Sequence, residues 1–520
     1  MRMLVLALLL VHATAARADA LPAYRPPDFL AAPPALPSGY DASNALKLDL
    51  SQTIELAMRQ NLGIVLERKQ MASRTLSEAA ASSSMYEPTV SANYSHASSD
   101  QPPLTAQAGP AGAIIASTSD SVGTTVSQRL PTGASLSLGF STSRVGSTAG
   151  TAVEPLTYNS MLSFSISQPL LHGFSTDLAI PQYSILTAKI ATAQERHQFE
   201  ITAATLVQQT EVAYWDVVQA LYSYDVAVES KQLAEQTVAL VKRQEDAGMI
   251  GSAELTGAQS TFAQRELAVL SASETVEQTW DALRTIINLP RDQWTRAIQP
   301  TEPLEFHPTE TAQADAAFQT ALARRPEIAD LALDLQASDL ALRKAENDKL
   351  PEIDLGVSGS VYGQGDTLGS TFDQMGSRDA TGWSVMLNMT WTPLNRTNKI
   401  NAEIARIARD TRVTNRDQRV QGIWNEVRAA VRNQHAAAAQ VVAASRSRDL
   451  ARQSLEIETR KYASGQSSNV DIATLQSELA SAQLAELTAV LGHEKATTAV
   501  LLATGELLAR RNIAVELTKR

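Results

Sequence analysis

The chain states nearly the same pattern twice, and this internal repeat constrains the fold more than any single motif does. MRQNLGI (Met58–Ile64, after Ala57) aligns with LARRPEI (Leu322–Ile328, after Ala321) at an offset of 264 residues. DAGMIGSAEL (Asp246–Leu255) aligns with ASGQSSNVDI (Ala463–Ile472) at an offset of 217. Pro88 and Pro169 stand 81 positions apart in the first copy, whereas Pro351 and Pro393 stand 42 apart in the second. A surplus of 39 residues therefore falls between the prolines of the first copy. Each copy reads as helix, strands, very long helix, tight turn and helix.

The division this implies runs as follows: a signal peptide over 1–20, a Pro-rich arm over 21–47, a first repeat over 48–290, a linker over 291–312, a second repeat over 313–508 and a tail over 509–520. Met1-Arg2-Met3 is a short basic start, Leu4 to Val11 an apolar run, and Ala18-Asp19-Ala20 a small-x-small cleavage site. That run is too short to span a bilayer as a helix, and no later stretch reaches the ~18 apolar residues needed. Zero cysteines exclude disulfides, thiolate metal sites and a lipidated N-terminal Cys. A net charge of −11 makes nucleic acid a poor partner, because phosphate binding needs clustered Lys and Arg.

Ile54, Met58, Leu62 and Leu66 recur every fourth residue, which predicts one helix from Leu50 to Ser84. Between 88 and 169, and again between 352 and 392, the period changes to 2. Leu136, Leu138 and Phe140 alternate with serines, as do Leu162, Phe164 and Ile166. Ile353, Leu355 and Val357 form a third such run, and Val385, Leu387 and Met389 a fourth. An apolar face opposite a Ser, Gly, Asn and Thr face fits either a sandwich or a barrel with lipid outside and water inside. Trp383 and Trp391 lie eight residues apart on the apolar side. At ~3.3 Å per residue they are roughly 26 Å apart, close to the ~25 Å band that aromatic girdles bracket.

After Pro169 and Pro393 come helices of about 65 to 70 residues, on the order of 100 Å each. Such helices need partners along their length. Leu255, Phe262, Val269, Val276 and Leu283 recur every seventh residue past the first turn (247–252). Ile472 and Leu479 repeat this spacing past the second turn (464–468). Each long helix thus doubles back as an antiparallel coiled coil. Two strands per repeat give about four per chain, and four strands leave edges that lipid cannot satisfy. Several copies must share one barrel.

Signal peptide, duplicated halves, junction prolines and paired coiled-coil turns together resemble the TolC family of outer-membrane efflux proteins. The resemblance is carried by LSQTIELAMRQNLGI (Leu50–Ile64), EVAYWDVVQA (Glu211–Ala220), LPEIDLGVSG (Leu350–Gly359) and RKYASGQSSNVDI (Arg460–Ile472). It implies a mainly α-helical chain with a membrane β-barrel, and a homotrimer whose barrel commonly has twelve strands. The barrel continues into a coiled-coil tunnel through the periplasm. It also implies a passive exit duct in the outer membrane, partnered by a periplasmic adaptor and an inner-membrane pump of RND, ABC or MFS type, with no cofactor. Two departures stand out: there is no cysteine to lipidate, and the surplus containing SQRLPTGASLSL (Ser127–Leu138) reads as an additional hairpin.

The resemblance places pore-constriction carboxylates at Glu254 and Asp471, six residues past the turn glycines Gly248 and Gly465. Both also fit the first turn of a helix, where the dipole favours acids, and Ser468-x-x-Asp471 is a capping pattern. Gly248, Met249 and Ile250, with Gly465, Gln466 and Ser467, are the candidate adaptor contacts. Arg243, Arg460 and Tyr462 are candidates for bonds that keep the entrance shut. Enzymatic readings fail: the seven histidines lack metal-ligand spacing, and Gly363-Gln364-Gly365 reads as a strand-to-strand loop without a nucleotide fingerprint. Glu327 and Asp330 read as solvated helix-face carboxylates. The competing class is a periplasmic coiled-coil scaffold or adhesin with a soluble β-sandwich.

Overall fold

The computed structural model describes residues 34, 36–102, 114–147, 157–302, 304, 306, 313–464 and 466–513. The signal-peptide segment, most of the Pro-rich arm, Gly465 and the last seven residues lie outside it. The element order is β1 (Leu46–Leu48), α1 (Leu50–Gln60), α2 (Leu62–Tyr86), β2 (Thr89–Gln101), β3 (Ile115–Arg129), β4 (Ser135–Ser147), β5 (Thr157–Pro169), α3 (Tyr183–Asp246) and α4 (Ser252–Ile286). There follow β6 (Ile298–Pro300), α5 (Ala314–Arg324), α6 (Pro326–Asn347), β7 (Glu352–Gly365), α7 (Leu368–Ser377), β8 (Thr381–Thr390), α8 (Arg396–Ala463), α9 (Asn469–Thr504) and α10 (Leu507–Arg510). Two compact units result, one from Met1–Val65, Thr202–Arg325 and Gly422–Arg520, the other from Leu66–Ile201 and Pro326–Gln421.

The helix expected from Leu50 to Ser84 is broken at Asn61, whose ψ of 128° is extended. Its side-chain Oδ1 accepts from Gly63 N at 2.8 Å, capping α2, and its Nδ2 donates to Ile286 O at 2.8 Å. The break re-aims the apolar stripe: Ile54 and Ile64 are buried, whereas Leu62 and Leu66 are exposed. Arg325, aligned with Asn61, breaks the second repeat with nearly the same angles (φ −70°, ψ 126°). There Pro326 opens α6, a position where its missing N–H costs nothing.

The core of the first unit gathers Leu50, Ile54, Val207, Tyr214, Val218, Val441, Leu487 and Leu491 from α1, α3, α8 and α9. The Tyr214 hydroxyl donates to Leu48 O at 3.2 Å, and burial pushes its pKa up. The heptad positions of α4 are buried only at its end away from the turn: Val276 and Leu283 are fully covered, while Leu255, Phe262 and Val269 are half-buried. Glu211, fully buried on α3, accepts from Arg511 Nε at 2.7 Å, from its second guanidinium nitrogen at 2.9 Å, and from Thr498 Oγ1 at 2.5 Å. This fork ties the chain past α10 to α3 and α9.

In the second unit six strands form one antiparallel meander in the order β2-β3-β4-β5-β7-β8. Sequence counting expected about four. The extra pair arises because the surplus of the first repeat folds as a hairpin inside the sheet. Its turn closes with Gly133 at φ +85° and Leu130 N bonded to Ala134 O at 2.8 Å. Gly363-Gln364-Gly365 belongs to β7 and not to a loop. The two glycines let α7 lie against the strand, since a Cβ on Gly363 would sit 2.1 Å from Thr371 O. Phe372 stacks on Phe140 at 5.5 Å, and Thr371 meets Ser160 at 3.0 Å between buried hydroxyls.

Along α6 and α8, Arg409–Asp339 (2.9 Å), Arg406–Glu346 (3.5 Å), Arg412–Asp334 (3.8 Å) and Arg419–Glu327 (3.5 Å) form a ladder. Exposed pairs of this kind contribute little singly but fix which faces meet. Glu327 is thus paired and not merely solvated, and partial burial raises the pKa of Asp330. The ladder leaves Ile400, Ile404 and Ile407 exposed at 59% each, a helical stripe uncovered among the described residues.

Arg511→Ala should strand the buried Glu211 carboxylate and destabilise the first unit by about 3 kcal/mol, read as a lowered melting temperature. Arg511→Lys should recover only part of this, because it cannot form the two-pronged contact. Gly363→Ala should undock α7, raising hydrogen exchange across residues 368–377 while exchange in α9 stays unchanged.

Candidate functional site

Two places concentrate unusual chemistry: the two faces of the six-stranded sheet, and the turns joining α3 to α4 and α8 to α9. In the sheet, strand pairing sorts residues row by row. One row runs Val90, Val126, Leu138, Phe164, Gly359 and Trp383 from β2 to β8. The neighbouring row, on the opposite face, runs Thr89, Ser127, Ser137, Ser165, Ser358 and Ser384. Within it, Ser137 and Ser165 bond at 2.7 Å and Ser358 and Ser384 at 2.8 Å, so hydroxyls satisfy one another along the face.

The apolar face is uncovered for much of its area. Trp383 is 84% exposed, and Val385, Leu387 and Met389 are each about 60% exposed. Trp391 lies one residue beyond the end of β8 and is also exposed. Among the described residues the only other sheet is the two-stranded β1–β6 pair of the first unit, so no second layer makes a sandwich here. Among the described residues, edge strands β2 and β8 have a partner on one side only.

At the first turn, Ala247 N bonds to Arg243 O at 3.2 Å and Met249 N to Gln244 O at 2.9 Å, with Gly248 at φ +70°. This is the left-handed glycine stop of a helix. Met249 is 69% exposed. At the second turn Gln466 N bonds to Lys461 O at 2.9 Å. Ser468 and Asp471 form a reciprocal capping box: Asp471 N donates to Ser468 Oγ at 3.2 Å, while Ser468 Oγ and N donate to the Asp471 carboxylate at 2.7 and 3.2 Å. The Ser468 hydroxyl, then its amide, hold the Asp471 carboxyl below its ordinary value.

The two expected constriction acids are therefore in different settings. Asp471 turns back on its own helix start. Glu254 lines a groove of about 490 Å³ with Gly257, Ala258 and Thr261 of α4 and Ala473 and Thr474 of α9. Of the three expected gate residues, Tyr462 bonds across helices, its hydroxyl donating to Gln244 Oε1 at 3.2 Å. Arg243 Nε donates to Ala239 O at 3.2 Å and Arg460 pairs with Glu456 at 3.5 Å, each within its own helix. Gln244 carried no signal in the sequence, because nothing in one α3 turn reveals which residue of α8 stands opposite. Among the described residues no His, Asp and Glu grouping could hold a metal, and no helix is long and apolar enough to cross a membrane.

With this geometry in place, comparison with known proteins is informative. Residues 317–506 match the family described as outer membrane efflux protein. No curated protein matches by sequence. Among solved structures, the CmeC outer membrane channel of Campylobacter jejuni superposes with a TM-score of 0.63 at 15% identity, over 88% of this chain and 86% of that one. The Neisseria gonorrhoeae outer membrane channel MtrE gives 0.60 at 17% identity over 94% and 98%. VceC, an outer membrane protein of Vibrio cholerae, gives 0.62 at 14% identity over 88% and 96%. At these identities the likeness is one of fold. Family match and fold agree, and the resemblance to the TolC family of outer-membrane efflux proteins holds.

Because its folded carboxyl lies below the unfolded value near 3.8, the Asp471 cap contributes fully above that value. Its contribution is lost as pH falls through the lower folded value. Ser468→Ala should weaken the first turn of α9 by about 1 kcal/mol at neutral pH, seen as faster amide exchange over residues 469–474.

Proposed function

We propose that the chain is the outer-membrane exit duct of a tripartite efflux or type I secretion system, a passive channel energised by an inner-membrane pump. The observation that carries this reading is the sheet register, which puts one apolar face and one hydroxyl-lined face on the same strands. In lipid, only a closed barrel satisfies every strand edge. Since β2 and β8 each lack a second partner, copies of the chain must supply the closure.

The exposed stripe Ile400, Ile404 and Ile407 follows directly on β8, and Leu62, Leu66 and Leu76 lie on the helix leading into β2. Both edges of the sheet thus continue into helices with apolar surface left for a neighbour, consistent with a head-to-tail ring. A homotrimer is the assembly that the family resemblance favours. In this reading the Trp383 face meets outer-membrane lipid, and the serine face lines the lumen. The long helices form the periplasmic tunnel, and the turns carrying Gly248, Met249, Ile250, Gly465, Gln466 and Ser467 meet the adaptor. Glu254 and Asp471 ring the periplasmic entrance, and Tyr462 with Gln244 helps hold it closed.

The purified protein should fractionate with the outer membrane, need detergent, and run as an oligomer that heat dissociates. Recovery as a water-soluble single copy would overturn the proposal. In planar bilayers the channel should prefer cations, and Glu254→Ala with Asp471→Ala should lower the cation-to-anion permeability ratio several-fold, read as a shifted reversal potential. Tyr462→Phe should raise the resting conductance. Unchanged selectivity in both carboxylate variants would remove them from the entrance while leaving the duct intact.

A further inference from the structure

We infer that all six strands of each chain enter the membrane wall, so that three copies close a barrel of eighteen strands, not twelve. This rests on reading the sheet as a shared outer-membrane barrel. β2 and β3 could instead have been an ornament beside a four-stranded contribution from β4, β5, β7 and β8, and three observations speak against that.

First, the ladder is continuous. Thirteen consecutive pairs join β2 to β3, from Thr89↔Ser127 to Gln101↔Ile115, and thirteen more join β3 to β4. The β2–β3 and β3–β4 ladders are thus as long as any in the sheet. Second, the sorting of faces does not stop at β4. Val90 and Val126 share the row of Leu138, Phe164 and Trp383, and Ala92, Tyr94 and Val122 lie on the same face, which beyond Tyr94 ends in the His96–Asp120 pair, while Ser91 and Ser127 stay with the hydroxyl face. Val90 and Tyr94 are left about two-thirds exposed, as residues bound for lipid would be. A hairpin outside the wall would have no reason to keep that alternation in step. Third, the meander is even-numbered, so β8 of one copy runs antiparallel to β2 of the next, repeating the pairing found everywhere else in the sheet.

The consequence is a matter of size. With strands ~4.8 Å apart and tilted ~40°, eighteen strands enclose a cylinder about 36 Å across between backbones, against about 24 Å for twelve. Its inner rows are mostly Ser, Thr, Gly and Asn, interspersed with larger side chains such as Met161, Tyr362 and Met386. The helix α7 sits on Gly363, Gly365 and Phe140, all in apolar rows, and so lies on the outside of this wall. The sheet then makes a wide, largely hydroxyl-lined mouth, suited to bulky hydrophilic cargo.

Because the natural chain has no cysteine, any disulfide can be assigned to introduced residues. Pairs combining Ser384→Cys or Met386→Cys in β8 with Ser91→Cys or Asn93→Cys in β2 are oxidised in outer-membrane vesicles and run on denaturing gels. In parallel the same β8 variants are combined with Ser137→Cys or Ser141→Cys in β4, the strand that would form the edge if β2 and β3 peeled away. Six-strand entry is supported by covalent species at two and three times the chain mass from at least one β8–β2 pair, with none from β8–β4. It is overturned if β8–β4 pairs link instead, or if neither set links in protein that still fractionates as a membrane oligomer. A water-soluble single copy would instead defeat the underlying duct reading, and is told apart by fractionation before oxidation.

Discussion

A strand edge in hydrocarbon is the constraint on which the rest of this molecule depends. Each unpaired N–H and C=O there costs several kcal/mol, so a sheet with an apolar face cannot end in lipid. The chain makes such a face from Trp383 to Val90 and then leaves both flanks, β8 and β2, without a second neighbour. On the proposed membrane reading, assembly follows from the backbone and is not an addition to a finished fold. The same logic explains why apolar surface remains on the helices that run into those two strands.

Much of this was legible in the residues. Pro169 and Pro393 mark where pairing stops, and the shift of apolar spacing from every fourth residue to every second marks where helices yield to strands. The two very long helices follow from proline-free stretches, and the turns from Gly248 and the Ser468-x-x-Asp471 pattern. What was hidden depends on contacts between distant segments. β2, with SANYSHASSD, has too few large apolar residues to declare itself, and its membership rests on pairing with β3. Glycines at 363 and 365 looked like loop residues, because nothing local reveals a helix that packs back on them from Ser370 and Thr371. The Glu211–Arg511 fork joins positions 300 apart, and a lone Glu in a helix gives no hint that it is buried.

For the turn residues, sequence located the positions, and the structure assigned them unequal settings. Asp471 spends its carboxylate on the helix start, whereas Glu254 faces a groove between α4 and α9. A charge occupied as a cap is held in place and kept ionised; one facing a groove is free to meet whatever enters. If both act on permeating ions, they do so with different mobility.

The paired breaks at Asn61 and Arg325 reach one backbone path by unrelated chemistry. Asn61 folds its own amide onto the next turn, while Arg325 relies on the proline after it and on a 2.7 Å ion pair with Glu426. Duplicated halves can thus drift apart in letters while their torsion angles stay put. A profile built from letters then registers only residues 317–506, although the half it overlooks bends at the corresponding place. At this break the torsion angles are more alike than the side chains that produce them.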